Sequence, residues 1–259
     1  MAPDRTHAKF TGAPDYDNAE FWDVRFATGQ DVGEWLNSGE VLLEAVLHEL
    51  ERRPAVVARN PPRVLHLGPG ISQLGGRLRD ACVNRQWLGN GIVNVDFSAE
   101  AVRLGQEFES QRNPNHAMPW LRIDLRSWHD VSALYRFAPF DVILDKSTSD
   151  AIATAGDQIF SFTDDLSSTS PTVREILSKA TTATLPPVEL LALQLVPLTR
   201  KGTTWIALSY SATRFDNLPY LMEYWTLCSR TPLKAPPGPV ASTTHTPDVF
   251  HWIYVMKRK

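Results

Sequence analysis

Arg63-Val64-Leu65-His66-Leu67-Gly68-Pro69-Gly70-Ile71-Ser72 is an apolar run that ends in a turn holding two glycines. The run reads as a buried strand, and glycine permits backbone angles and close approach that a Cβ would forbid, so amides of the loop and of the next helix can face a polar ligand. Ile92-Val93-Asn94-Val95-Asp96 follows, a second apolar run that stops on a carboxylate. Two parallel strands joined by a helix, one ending in a glycine turn and the other in an acid, seat a ribose between them, with Asp96 accepting from its hydroxyls. A nicotinamide dinucleotide would need a third small residue three positions after the second glycine, and that position is Gln73. A ligand without phosphates fits better, and S-adenosylmethionine is the expected cofactor. The competing reading of a lone Gly-x-Gly is an ordinary strand-to-helix turn.

Two more segments argue against that competing reading. Phe140-Asp141-Val142-Ile143-Leu144-Asp145 is a third buried-strand pattern closing on an acid, and Met118-Pro119-Trp120-Leu121-Arg122-Ile123-Asp124 is a candidate strand before it. In an open parallel sheet, ligands bind outside the carboxyl ends of the strands, so Asp96, Asp124 and Asp145 are expected to converge on one crevice.

Val64–Ser72, Ile92–Ser98 and Leu144-Asp145-Lys146-Ser147-Thr148-Ser149-Asp150-Ala151 resemble the signature blocks of class I S-adenosylmethionine-dependent methyltransferases. More narrowly, they resemble the group that includes lysine and N-terminal methyltransferases of translation elongation factor 1-alpha. The opening Glu20-Phe21-Trp22-Asp23-Val24-Arg25-Phe26 with Glu34-Trp35, and the ending Phe250–Lys257, are similar to that group as well. Against the group's usual pattern, Pro69 stands in place of Cys, Ile71 of Asn and Ser147 of Gly. The resemblance implies an α/β, Rossmann-like fold: a mostly parallel seven-stranded sheet with an antiparallel last strand and helices on both faces. It also implies methyl transfer to a protein amine, such as a lysine of a translation factor. Two other readings stay open: methylation of a small molecule at N, O or S, and a cofactor-binding subunit that has lost catalysis.

The 259 residues, 43% of them hydrophobic, suit one enzyme-sized domain, and a formal charge of −3 argues against nonspecific nucleic-acid binding. Cys82 and Cys228 lie far apart without metal spacing and read as buried apolar residues in a reducing compartment; no metal site is expected. No stretch approaches the roughly 18 to 20 apolar residues of a membrane span, and the polar start lacks a signal-peptide layout, so a cytoplasmic protein is expected.

Residues 1–17 read as a loose N-terminus and 18–60 as a helical cover over the ligand, with a helix from Asn18 to Phe26 carrying Trp22 and Arg25 on one side. A second helix is expected over Ser38 to Arg53, with Ser38 as its cap. Further helices are expected from Ser72 to Arg85 and from Ala99 to Glu109, the latter capped by Ser98; Trp128 to Phe137 is a third crossover. The Ser- and Thr-rich segment 156–187 is a possible lid or loop insertion. Helix Val188–Thr199 and strand Thr203–Tyr210 follow. The last two strands are placed at Glu223–Cys228 and Val249–Met256, joined by Pro232 to Pro239.

A sulfonium methyl is already activated, so its transfer is an in-line displacement that requires chiefly an aimed and deprotonated acceptor. By the resemblance, Asp145 stands where the group places a carboxyl or carbonyl beside cofactor and acceptor, and it is the candidate to orient or deprotonate that acceptor, against a competing role capping the next helix. Arg25, beside Trp22, matches the cofactor's carboxylate with a guanidinium fork. Gly68, Pro69 and Gly70 form the loop of the cofactor site, Phe97 meets adenine, and Asp124 with Leu125 borders the adenine amino group. By the same resemblance Trp35 and His251 are candidates for the acceptor side, whereas His66 reads as a packed core histidine.

Overall fold

A computed structural model describes residues 14–29, 34–53, 62–163, 166–236 and 248–259. The expectations for residues 1–13, for 30–33 and 54–60 of the cover, for Pro61, for 164–165 of the Ser- and Thr-rich segment and for 237–239 of the proline-rich link lie outside these.

Helix α1 (Ala19–Thr28) starts where the Asn18 side chain accepts the Glu20 N–H at 2.9 Å and stops at Gly29, which adopts a left-handed conformation. None of its residues is buried. Helix α2 (Glu40–Glu51) buries Leu42, Val46, Leu47 and Leu50 on one stripe. Its cap is Gly39 at φ 76° rather than the expected Ser38, whose carbonyl instead accepts from the Arg77 guanidinium.

The strands and helices that build the sheet alternate from β1 (Val64–Leu67) through α3 (Leu74–Asn84), β2 (Ile92–Asp96), α4 (Ala99–Ser110), β3 (Trp120–Arg122), α5 (Trp128–Ser132), β4 (Phe140–Lys146) and α6 (Thr148–Ile152). Next come β5 (Gln158–Ser161), α7 (Pro171–Lys179), β6 (Thr182–Leu185), α8 (Pro187–Leu195), β7 (Thr199–Ser209), α9 (Pro219–Tyr224), β8 (Trp225–Lys234) and β9 (Phe250–Arg258). Seven strands form one sheet in the order β3-β2-β1-β4-β7-β9-β8. β9 runs antiparallel to both its neighbours, so the expected seven-stranded, mostly parallel sheet with an antiparallel last strand is the observed one.

Two apolar clusters cover the two faces. Leu65, Leu67, Val95, Ile143, Leu191, Trp205 and Tyr254 belong to one, with α5, α8 and α9; Val64, Ile92, Leu144 and Ile206 belong to the other, with α2 and α3. Strands β1 and β4 alternate between them, as a sheet buried on both faces requires. Register aligns Leu67 with Val95 on one side and Asp145 on the other, so the carboxyl ends of β1, β2 and β4 lie level.

Three further sequence expectations change. Segment 156–187 is no bare loop: β5 and β6 pair antiparallel and, with α7, enclose a third cluster of Val173, Ile176, Leu177 and Leu185. The strand placed at 223–228 begins at Trp225 and runs on through Pro232, which the ladder tolerates because β8 is an edge strand. Cys82 is buried as expected, which pushes its thiol up to about 12, but Cys228 is exposed on that edge. Among the described residues, no helix is long and apolar enough to cross a membrane.

Candidate cofactor cleft

A cleft of about 630 Å³ opens at the carboxyl ends of β1, β2 and β4. Its floor is the turn after β1, where Gly68 and Gly70 adopt φ of 51° and 53°. Both glycines are required sterically. A Cβ on Gly68 would lie 2.4 Å from Thr148 Oγ1, and one on Gly70 2.9 Å from Phe26 Cζ, so the chain after β4 and helix α1 each press against this turn.

Asp96 holds the turn in place, its Oδ2 accepting the Gly70 N–H and its Oδ1 the Ser98 N–H, both at 2.9 Å. Each oxygen keeps a further lone pair for a ligand hydroxyl. Burial pushes this carboxyl up to about 6 despite the amide donors. Phe97 lines the cleft next to it, with the Arg126 guanidinium 5.9 Å from its ring. Asp124 binds Arg126 through both oxygens, at 2.9 Å to Nε and 2.8 Å to Nη2. Burial alone would raise the Asp124 carboxyl, but the Arg126 hydrogen bonds and charge hold it below the usual range.

The front wall comes from α1 and the segments beside it. Trp22 donates from Nε1 to the Tyr16 carbonyl at 2.8 Å and stacks on Phe26 at 5.5 Å between centroids. Trp35 meets Tyr16 and Trp22 edge-on at 5.6 and 6.0 Å. Asp23 ties α1 to the start of α4, accepting from the Ser98 hydroxyl and, at 3.0 Å, from the Glu100 N–H. Arg25, in the last turn of α1, reaches the cleft beside the Phe21 ring.

The end of β4 forms the remaining wall. Asp145 is fully buried; its Oδ1 accepts the N–H groups of Thr148 at 2.8 Å and Ser149 at 3.2 Å, while Oδ2 has no hydrogen-bond partner among the described residues. Burial pushes it up to about 6. Lys146 donates to Glu34 Oε2 and, at 3.2 Å, to the Asn37 carbonyl. Burial, the largest influence, draws its ammonium below the ordinary lysine range against the pull of Glu34. Ser147 is a non-glycine residue at φ 67° whose hydroxyl accepts from Trp35 Nε1 at 3.2 Å and donates to Asp150 Oδ2 at 2.6 Å. Asp150 also accepts from the Tyr210 N–H at 3.1 Å, from Arg214 Nε at 2.7 Å and from the Ser209 hydroxyl.

Trp22, Arg25, Trp35, Gly68, Pro69, Gly70, Asp96, Phe97, Asp124 and Leu125 therefore border one cleft. Asp145 and His251 are not among its lining residues. Asp145 lies beneath it, in the capping geometry that competed with the catalytic reading. His251, at the start of β9, is buried; its Nδ1 lacks a partner among the described residues, and burial lowers its pKa. His66 is a core histidine, 2.9 Å from Asn94 Oδ1 and drawn down to about 4 by burial. No described residue of 156–187 touches the cleft. Sequence reasoning missed Tyr16, Phe26, Arg126 and Tyr210 in the lining, and the Glu34–Lys146 pair. Arg126 and Phe26 carried a signal, the one two residues beyond Asp124 and the other next to Arg25; the rest depend on long-range folding.

No protein-family model matches the chain. It is 27% identical over 252 residues to the methyltransferase srdJ of Neurospora crassa, covering 95% of this chain and 85% of that one. The mouse eEF1A lysine and N-terminal methyltransferase is 29% identical over 146 residues, which is 56% of this chain and 18% of that protein. Among solved structures, a protein described for the conversion of a disulfide into a thioacetal in echinomycin biosynthesis superposes with a TM-score of 0.51, 15% identity and 93% of both chains covered. A SAM-dependent methyltransferase from Anabaena variabilis gives a TM-score of 0.50, 11% identity and 95% and 96% coverage. These two likenesses show the fold. The fold is that of the class I S-adenosylmethionine-dependent methyltransferases, and fold, cleft and relatives together support a SAM-dependent methyltransferase. The residues fit that cofactor: the turn at Gly68 and Gly70 lines the cleft, and the buried Asp96 carboxylate beside it keeps lone pairs for a ligand hydroxyl.

Proposed function

We propose that this enzyme methylates a small, uncharged acceptor with an aromatic or apolar body, at N, O or S. The observation that carries this reading is the state of the carboxylates facing the cleft. Asp17 lies 3.8 Å from Arg126, Asp96 holds two amides, Asp124 is bound by Arg126, and Asp150 holds four donors. Each is engaged by the protein, leaving none among the described residues dedicated to a lysine ammonium, whose burial without a counter-charge is costly. What faces the acceptor instead is Tyr16, Trp22, Trp35 and Tyr210, surfaces suited to a flat apolar body.

The bound cofactor supplies an electrophilic methyl group. The chain's residues hold it and aim the acceptor: Asp96 at the ribose, Arg25 at the carboxylate, Phe97, Asp124 and Leu125 around adenine. We assign Asp145 to positioning, since its Oδ1 gathers the amides of Thr148 and Ser149 next to the cleft wall. A second reading, transfer to a protein lysine, draws support from the mouse relative. Incubation with methyl-labelled cofactor and fractionated cell extract separates the two: label in the small-molecule pool is expected, and label confined to protein overturns the proposal.

The Asp96 assignment makes a pH prediction. With its carboxyl near 6 in the free protein, Asp96 is ionised above that pH and ready to accept from both ribose hydroxyls. Below it, a proton must leave before binding, so affinity is expected to fall by up to about tenfold per pH unit and to level off above neutrality. Asp96→Ala should cost about 1.5 to 3 kcal/mol of cofactor affinity and remove this dependence. Calorimetry between pH 5 and 8 checks both; a flat wild-type profile would contradict the ribose role.

A further inference from the structure

Lys146 places a cation on the wall of a cleft that receives another cation. Its side chain is 5% exposed, it lines the cleft with Gly68 and Gly70, and it closes β4 directly after Asp145. The cofactor's sulfonium is permanently positive, whereas the thioether product, S-adenosylhomocysteine, is neutral at sulfur. An uncompensated ammonium in this wall would repel the first and spare the second, biasing the enzyme toward its product.

Glu34 prevents this. Its Oε2 accepts from Lys146, and the carboxylate is pinned from a second direction by the Ser72 hydroxyl at 2.7 Å and the Gln73 N–H at 2.9 Å, at the start of α3. Burial alone would raise the Glu34 carboxyl, but these three donors outweigh it and hold the group charged. The residue comes from the front segment, 112 positions from Lys146, and serves at once the exit of the glycine turn and the end of β4. We propose that Glu34 is a positioning residue whose charge neutralises Lys146 and thereby sets the cleft's preference for the sulfonium cofactor over the neutral product. This rests on S-adenosylmethionine being the cofactor.

The test measures dissociation constants for S-adenosylmethionine and S-adenosylhomocysteine by calorimetry on four full-length proteins: wild type, Glu34→Gln, Lys146→Met and the double variant. Glu34→Gln is expected to weaken the sulfonium ligand about tenfold while changing the thioether by less than about threefold, as a charge of this kind at close range predicts. Lys146→Met leaves Glu34 unbalanced and should move the ratio of the two constants the opposite way. The double variant should restore the wild-type ratio. Equal weakening of both ligands by Glu34→Gln, as a merely structural role would give, overturns the proposal, and so does a double variant that keeps the altered ratio. Should Glu34→Gln lose its fold by circular dichroism, Lys146→Met decides alone, and an unchanged ratio overturns. Wild-type protein that binds neither ligand would fell the cofactor assignment and the proposal with it, a result distinct from an unchanged ratio.

Discussion

Replacing Asp150 by alanine is expected to lower folding stability by about 3 to 5 kcal/mol, the range seen when one partner of a buried ion pair is removed. Asp150 is 3% exposed and receives Arg214, Ser209, Ser147 and the Tyr210 N–H. Its loss strands the Arg214 guanidinium, whose side chain is 13% exposed, and leaves the Ser147 hydroxyl without its acceptor. The consequence extends to function, because Ser147 is what the Trp35 indole donates to. Urea denaturation gives the number, and a change under about 1 kcal/mol would show that the network contributes little beyond what water supplies. Asp150→Asn, which keeps the shape and loses the charge, should fall between alanine and wild type.

Gly68→Ala is the second large effect, expected at about 2 to 4 kcal/mol of stability together with loss of cofactor binding. Two costs combine. A left-handed backbone conformation disfavours a non-glycine residue by about 1 to 2 kcal/mol. The new methyl would also overlap Thr148 Oγ1, whose hydroxyl donates to the Leu67 carbonyl at 2.7 Å, so accommodating it breaks a hydrogen bond inside the cleft wall. Denaturation midpoints of Gly68→Ala with and without Thr148→Ala separate the overlap from the backbone strain. If the second change recovers nothing, the overlap is not the cause.

How much of this was readable in advance follows from the range over which each feature is encoded. The glycine turn, Asp96 and Asp124 were legible because each sits within a few residues of a strand end, and the sheet brings strand ends level whatever the side chains elsewhere. The cap of α4 at Ser98 was legible for the same reason, its hydroxyl accepting from Ala101 three residues on. Ser38 was a plausible cap and failed because Gly39 takes the left-handed turn instead. Asp145 was the harder case. Its position at a strand end fitted both roles proposed for it, and only burial and the two amides on Oδ1 distinguish them. The Trp35–Ser147 and Glu34–Lys146 contacts, each bridging 112 positions, have no local signature. Ser147 did mark itself by standing where the resembling group has glycine, yet nothing in the chain told that its hydroxyl joins Trp35 to Asp150.

Helix α1 lends the cleft Trp22, Arg25 and Phe26 while burying no residue of its own. Its outward side chains, such as the exposed Val24, can therefore vary with little penalty to folding, whereas Phe26 against the Gly70 turn and Asp23 at the start of α4 cannot.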